Sequence, residues 1–317
     1  MKLNQLRTFV TVVECRSIHR GALALGVSQP AVSTTIRELE TICGSPLLVR
    51  SAKGVTVTEA GALLLERARA VLADLERLKD ELVRLQSGKA GNVSIAVSSA
   101  IASVILPSTL RSFREKMPQV QINIAEVVDS ADLLKGIREG RFDFVAMQTP
   151  YNFSPPPDDI EQLVDVKFPL ILGCRARHPL AHVTSIRELN EAEWIFPATE
   201  DDTVTPLIEQ DLSHYGLGIP KRTIRCRSNA VALELFEAFD VVGIFIKKMS
   251  EITFRRYGLV QIPINETLPD LHAGIFQRNG KIPTAASALI LEIFLQDFKN
   301  FGAAFPVEPD DEHAVLA

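Results

Sequence analysis

Residues 17–40, SIHRGALALGVSQPAVSTTIRELE, hold two short amphipathic helical patterns separated only by Gly26-Val27. The first presents Ile18, Ala22 and Leu25 on one face, the i, i+4, i+7 spacing of a packed helix. Ser28 suits the N-cap of the second, and Pro30 is tolerated in its first turn. That helix turns Val32, Ile36 and Leu39 inward. At about 100° per residue its opposite face carries Pro30, Ser33, Thr34 and Arg37, with Gln29 at its start. Short polar groups, one Gln and one Arg beside a helix N-terminus suit base edges and phosphates in a DNA major groove. An ordinary helical hairpin also fits these residues taken alone.

The flanks favour the nucleic-acid reading. Asn4–Glu14 makes a preceding helix with Leu6, Phe9, Val10 and Val13 inward, a third helix to complete a core. After Gly44, LLVRSAKGVTV reads as two short strands around a basic turn, a wing that brings Arg50 and Lys53 to the phosphate backbone. Through Thr58 seven basic residues face three acidic ones, a balance of +4 in a chain whose net charge is −5, so the remainder carries −9. A basic head on an acidic body implies that the head alone meets nucleic acid.

Residues 3–65 resemble the N-terminal domain of LysR-type transcriptional regulators. The SQPAVS core, the I-x-x-LE after it, the PLLVR before the wing and the T-x-AG before a long helix recur in that order. The resemblance implies a winged helix-turn-helix that reads DNA through Ser28, Gln29, Pro30, Ser33, Thr34, Arg37, Arg50 and Lys53. Two positions depart from the family. Gly21 stands where Ala is usual and should loosen its helix by about 1 kcal/mol. Thr34 occupies a position that is often basic.

From Glu59 the chain runs to Ser87-Gly88 with Gly61 as its one helix breaker. Leu64, Ala68, Val71, Leu75, Leu78, Leu82 and Leu85 alternate spacings of four and three, a heptad seam among charged residues. The narrow seam favours a dimeric coiled coil over a helix buried in one core. A dimer would present two recognition helices to an inverted repeat.

Beyond the boundary at 88–92, apolar runs alternate with amphipathic helices, the pattern of an α/β domain. Strands are expected at 93–97, 120–127, 142–147, 168–174, 194–196, 222–226, 241–245, 259–262 and 271–276. Helices are expected at 102–116, 131–139, 206–215, 230–239 and 285–301, and 151–157 is a Pro-rich loop. The openings GNVSIAVSS, ILPSTLRSFREKMPQVQINI, IREGRFDFVAM and RHPLA resemble the LysR effector domain. That resemblance implies a periplasmic-binding-protein-like fold of two lobes, 91–162 with 266–303 and 163–265. It places an effector in the cleft between them. FDVVGIFIKKM departs from the family, with Lys247-Lys248 where a Pro would be expected.

In open α/β sheets ligands sit beyond the carboxyl ends of strands, often at helix N-termini. Four places fit: Ser98, Ser99, Ala100 and Ile101; Gln148 and Thr149; Thr199 and Thr203; Phe245 and Ile246. Hydroxyls and free helix N–H groups favour an anionic or polar ligand, and Phe245 and Ile101 suit an aromatic or alkyl body. Helix capping is the better explanation of any one Ser or Thr taken alone. The SSAIA and IPINETLP segments are similar to members that sense aromatic acids and sulfonates.

No catalytic constellation, cofactor motif or metal-ligand spacing stands out. The four cysteines lack a C-x-x-C arrangement, and pairing Cys174 with Cys226 would make a redox switch. His178 and His182 flank Pro179, which argues against a metal site on one helix. The N-terminus lacks a signal peptide and no run of eighteen apolar residues occurs, so a cytoplasmic chain is expected. The organisation is then a DNA-binding head, 1–58; a dimerisation helix, 59–88; an effector domain, 91–303; and a mobile tail, 304–317. The implied function is transcription regulation by a homodimer or homotetramer bound to promoter inverted repeats and contacting RNA polymerase, answering to a small anionic or aromatic effector. The alternative is a cytoplasmic solute-binding protein whose N-terminal helices serve assembly alone.

Overall fold

The structure, a computed structural model, describes residues 1–51, 54–87, 91–126, 130–149, 158–197 and 220–302. Its head joins α1 (Leu3–Cys15), α2 (Ile18–Leu25) and α3 (Gln29–Cys43) to a hairpin of β1 (Leu48–Ser51) and β2 (Gly54–Val57). Phe9, Val12, Ile18, Ala22, Val32, Ile36, Leu39 and Leu47 share one core. Val12 is fully buried and Val13 only half-buried, a shift of one residue from the expected face of α1. Ser17 and Ser28 cap α2 and α3 through bonds from Arg20 N and Ala31 N, both 3.3 Å. Gly26 ends α2 in the left-handed region at φ 67°.

Gly21, which departs from the family's usual Ala, has a packing role between α1 and α2. A Cβ there would lie 2.9 Å from Val12 Cγ2 and 3.1 Å from Val12 Cα, so the missing side chain lets α1 and α2 approach closely. The wing is tied to the helices at two points. Glu40 Oε1 accepts from Leu47 N (2.9 Å) and Leu48 N (3.4 Å), and Val55 N donates to Arg16 O (3.1 Å). The LE of I-x-x-LE is therefore a core leucine followed by a carboxylate that anchors the wing.

Helix α4 (Glu59–Ser87) leaves the head along α1. Leu64, Leu65, Ala68 and Leu72 pack on Leu6 and Val10 of α1. Leu64 and Ala68, expected at a dimer seam, are thus covered by their own chain. Val71, Leu78 and Leu82 remain about half exposed, Leu75 is half-buried, and the Leu85 side chain lies outside the described residues.

The described elements that follow are β3 (Asn92–Val97), α5 (Ser99–Lys116), β4 (Gln121–Glu126), α6 (Ser130–Arg138), β5 (Phe144–Thr149), β6 (Ile160–Arg175), a 3-10 turn (Ile186–Leu189), β7 (Glu193–Pro197), β8 (Arg222–Cys226), α7 (Asn229–Ala238), β9 (Val241–Ile246), α8 (Lys247–Tyr257), β10 (Leu259–Gln261), β11 (Asp270–Arg278) and α9 (Ala285–Gly302). The sheet order is β4-β3-β5-β11-β6-β9-β7-β8, with β10 beside β6. Strand β6 belongs to both halves: Ile160–Pro169 pair with β11, and Leu170–Gly173 pair with β9. The chain therefore stays with the first half through Pro169, beyond the boundary expected at 162/163. It returns after Glu266, whose carboxylate accepts from Ser185 Oγ (2.6 Å) and Ile186 N (3.1 Å) in the second half.

Helices α5 and α9 cover one face of the first half, where Val93, Ile95, Phe144, Ile275, Phe294 and Phe298 pack together. Helix α6 covers the other, over Ala96, Val145, Met147 and Phe276. In the second half Phe236, Phe245 and Phe254 stack over Gly173 and Gly243, where any Cβ would collide with their rings. Helix α8 was not foreseen. Its buried face is weakly apolar, and Lys247-Lys248 interrupts the pattern at its start. The expected helix at 206–215, the loop at 151–157 and the tail at 304–317 lie outside the described residues. No described helix is long and apolar enough to cross a membrane.

Candidate DNA-binding face and effector cleft

The exposed side of α3 carries Gln29, Pro30, Thr34 and Arg37 beside its capping Ser28, all exposed, with Ser33 half-buried among them. Val32, Ile36 and Leu39 on the other side are at most 1% exposed, so the polar face is held rigidly outward. Arg37 Nε donates to Ser33 O (3.2 Å), which lays its guanidinium along the helix. In the wing Arg50 is exposed on β1, while Lys53 lies outside the described residues. Hydroxyls, an amide and a guanidinium are exposed together on α3, with a second arginine exposed on the wing, the groups that base readout and phosphate positioning require.

The second site is defined by register. Strands β3, β4 and β5 are parallel neighbours. The end of β5 at Thr149 is level with His272 and Lys167, and the end of β9 at Ile246 is level with Leu170. The carboxyl ends of strands from both halves thus meet where β6 crosses between them, the position at which open α/β sheets hold ligands. Ser98, Ser99 and Ala100 open α5 there. Ser98 N donates to Ala146 O (3.0 Å), while Ser98 Oγ is buried and has no partner among the described residues. Strand alternation puts Gln148 on the α5 face with Ala146.

Several expected effector residues lie elsewhere. Ile101 is fully buried in the core under α5, and Ile246 is 6% exposed in the same cluster. Phe245 is held between Phe236 and Phe254 beneath α8, at ring distances of 5.1 and 4.9 Å. Thr149 is 2% exposed on the α6 face. Phe245 is covered by the helices that flank β9 in sequence, and Ile101 faces inward from the first turn of α5. Thr199 and Thr203 lie outside the described residues. One residue missed in the sequence is Glu126, the last of β4, whose Oε1 accepts from Ser99 Oγ. The alternation Ile122, Ile124, Glu126 was the signal that could have found it.

The head and the effector half are joined through α4. Arg69 donates to Glu14 Oε1 of α1 (3.1 Å) and to Glu139 Oε1 just after α6 (2.5 Å), and Arg141 Nε also meets Glu139 (3.2 Å). The Glu139 side chain is only 5% exposed. A cavity of about 460 Å³ lies beside this cluster. Arg278 reaches Asp74 of α4 at 2.6 Å.

Cys174 and Cys226 are too far apart to pair directly. Strands β6 and β8 are separated by β9 and β7, so the two residues stand at least about 14 Å apart, twice the reach of a disulfide. Burial, with Asp240 adding to it, pushes the Cys174 thiol up to about 11. His178 Nδ1 accepts from Leu180 N (3.0 Å), a local structural role.

Residues 3–62 match the family described as "Bacterial regulatory helix-turn-helix protein, lysR family", and residues 86–299 match "LysR substrate binding domain". The chain is 28% identical over 290 residues to the HTH-type transcriptional regulator TdcA of Escherichia coli strain K12, covering 91% of each. It is 26% identical over 280 residues to the HTH-type transcriptional regulator GbpR of Azospirillum brasilense, covering 87% of this chain and 80% of that one. Its fold is similar to that of full-length CbnR in complex with its target DNA, with TM-score 0.63 and 23% identity over 95% of this chain and 100% of that one. The two matched regions correspond to the head that exposes α3 and to the sheet whose halves meet at β6; the chain belongs to the LysR family of bacterial regulatory helix-turn-helix proteins.

Proposed function

We propose that this regulator reads promoter inverted repeats through Ser28, Gln29, Pro30, Ser33, Thr34 and Arg37 of α3, with Arg50 and Lys53 of the wing on the phosphates. The observation that carries the reading is the outward polar face of α3, backed by an immobile core and flanked by a tethered wing. The protein acts in the cytoplasm as a homodimer or homotetramer joined through Val71, Leu75, Leu78, Leu82 and Leu85, and contacts RNA polymerase. Its output is regulatory rather than enzymatic.

A small effector binds where the sheet halves meet, at Ser98, Ser99, Ala100 and Gln148. Its binding alters how the heads are arranged, which requires different affinities for the two arrangements. The Arg69–Glu139 contact supplies a direct mechanical link from the effector half to α4 and α1. Sequence similarity suggested an aromatic acid or sulfonate, a class that would have to place its anion beside Glu126.

The test is a DNase footprint over the intergenic region upstream of the protein's own gene. Protection of an interrupted inverted repeat is expected. Gln29→Ala with Thr34→Ala, both exposed and so harmless to folding, should weaken it by about 1–3 kcal/mol per lost base contact. Protection that is absent at low salt, where phosphate contacts are strongest, would refute an operator in that region.

A further inference from the structure

We propose that Glu126 sets the charge of the effector: the cleft takes a ligand that offers N–H or O–H donors, cationic or neutral, and rejects a carboxylate or sulfonate at the start of α5. This rests on the effector site proposed above and names the class of molecule that site accepts.

A helix N-terminus carries about half a positive charge together with unpaired N–H groups, and alone it would attract an anion. Here the protein places its own anion on that spot. Glu126 pairs in register with Val97, the last residue of β3, so its carboxylate stands over the turn into α5, where Ser99 Oγ donates to it. Glu126 is exposed, leaving its second oxygen open to a ligand.

Two further groups accompany it. Ser98 is 8% exposed and its Oγ has no partner among the described residues, a buried hydroxyl left unsatisfied at the start of α5. Gln148 is half-buried on the same face of the sheet. The nearest cation on the crossing strand, Lys167, is in register with His272 and Thr149, on the opposite face. It does not neutralise Glu126 on the α5 side.

The start of α5 thus combines hydroxyls and an amide, which donate or accept as a ligand requires, with one carboxylate that only accepts. A ligand anion about 4 Å from Glu126 would be disfavoured from a few-fold in water-like surroundings to about a thousandfold at an effective dielectric of 20. A ligand ammonium, amidinium or hydroxyl gains the corresponding hydrogen bond instead.

Benzamidine and benzoate share one shape and carry opposite charge, which makes them suitable probes for calorimetric titration of the full-length protein. Wild type should bind benzamidine at least about tenfold more tightly than benzoate. Glu126→Gln keeps the size of the side chain and an acceptor for Ser99, and should erase most of that preference by weakening benzamidine and strengthening benzoate. Because Glu126 is exposed, the thermal midpoint of this variant should match wild type, separating the effect from misfolding. Equal or tighter benzoate binding by wild type, a preference unchanged in Glu126→Gln, or no binding of either probe at millimolar concentration would overturn the proposal. The footprint is read without ligand, so loss of the operator reading and loss of the charge preference are separate results.

Discussion

Replacing Gly61 with alanine should destabilise the head, although helix propensity alone argues the opposite. Gly61 is the third residue of α4, where Gly→Ala ordinarily gains about 1 kcal/mol. The backbone of Leu47 passes directly over it. An alanine Cβ would sit well inside contact distance of the Leu47 carbonyl oxygen and 3.0 Å from its carbonyl carbon. That oxygen accepts from Thr58 N (3.0 Å), while Thr58 Oγ1 accepts from Gly61 N (3.0 Å) and donates to Pro46 O (2.7 Å). Since the obstacle is backbone, strand β1 must move away from α4. Losing the Thr58–Leu47 bond costs about 1–3 kcal/mol, and disturbing buried Leu47 costs about 1 kcal/mol more. Offset by propensity, the net loss is about 1–3 kcal/mol.

The assay separates head from effector domain by using the single tryptophan, Trp194, which is buried in β7. Trp fluorescence follows the effector domain, whereas circular dichroism at the helix band also follows the head. For a domain this small, 2 kcal/mol corresponds to a fall of about 10 °C in midpoint. The dichroism transition should fall by that much while the fluorescence transition stays put. An unchanged or higher head midpoint would refute the close approach of Leu47 to α4.

Two further outcomes follow from packing and charge. Burial holds the His178 imidazole below its usual value of 6.5, with Arg175 acting in the same direction and Asp240 opposing. A depressed histidine means that the unfolded chain binds the extra proton first. Its contribution is intact above about pH 6.5 and declines as pH falls through that value. Melting curves from pH 8 to pH 5 should therefore lose midpoint on the acid side, less so in His178→Gln, and an identical pH profile for both proteins would refute the assignment. Leu78→Lys with Leu82→Lys adds charge to residues half exposed in the single chain. Light scattering should show a smaller assembly with unchanged helix content, and unaltered mass would remove this face from the dimer.

Much of the head was legible in the sequence because its determinants are local. The serine caps, Gly26, and the spacing of Val32, Ile36 and Leu39 specify α2 and α3 within a few residues of where each acts. Strands β3 and β9 were equally plain as apolar runs between turn signals. Helix α8 was not, since Ser250, Phe254 and Tyr257 make a mixed face that becomes meaningful only under β6 and β9. Arg69 and Glu139 are seventy positions apart. Neither position marks its partner.

The effector cleft shows the same division most clearly. Ser98, Ser99 and Gln148 could be placed at strand ends from pattern alone, because helix starts and strand ends are set by neighbouring residues. Ile101 and Phe245 carried the same pattern, yet belong to the core. Ile101 is buried in one cluster with Ile246 from a distant strand, and Phe245 is closed over by Phe236 and Phe254 of the two helices flanking β9, whose docking the local pattern does not state. Glu126 is an acidic residue at the end of an alternating run until β4 pairs with β3 and brings it over α5. Periodicity and capping are local energies written in the order of residues. Register and helix docking depend on burial summed over distant segments, and only the tertiary structure decides which charges and hydroxyls share a cleft.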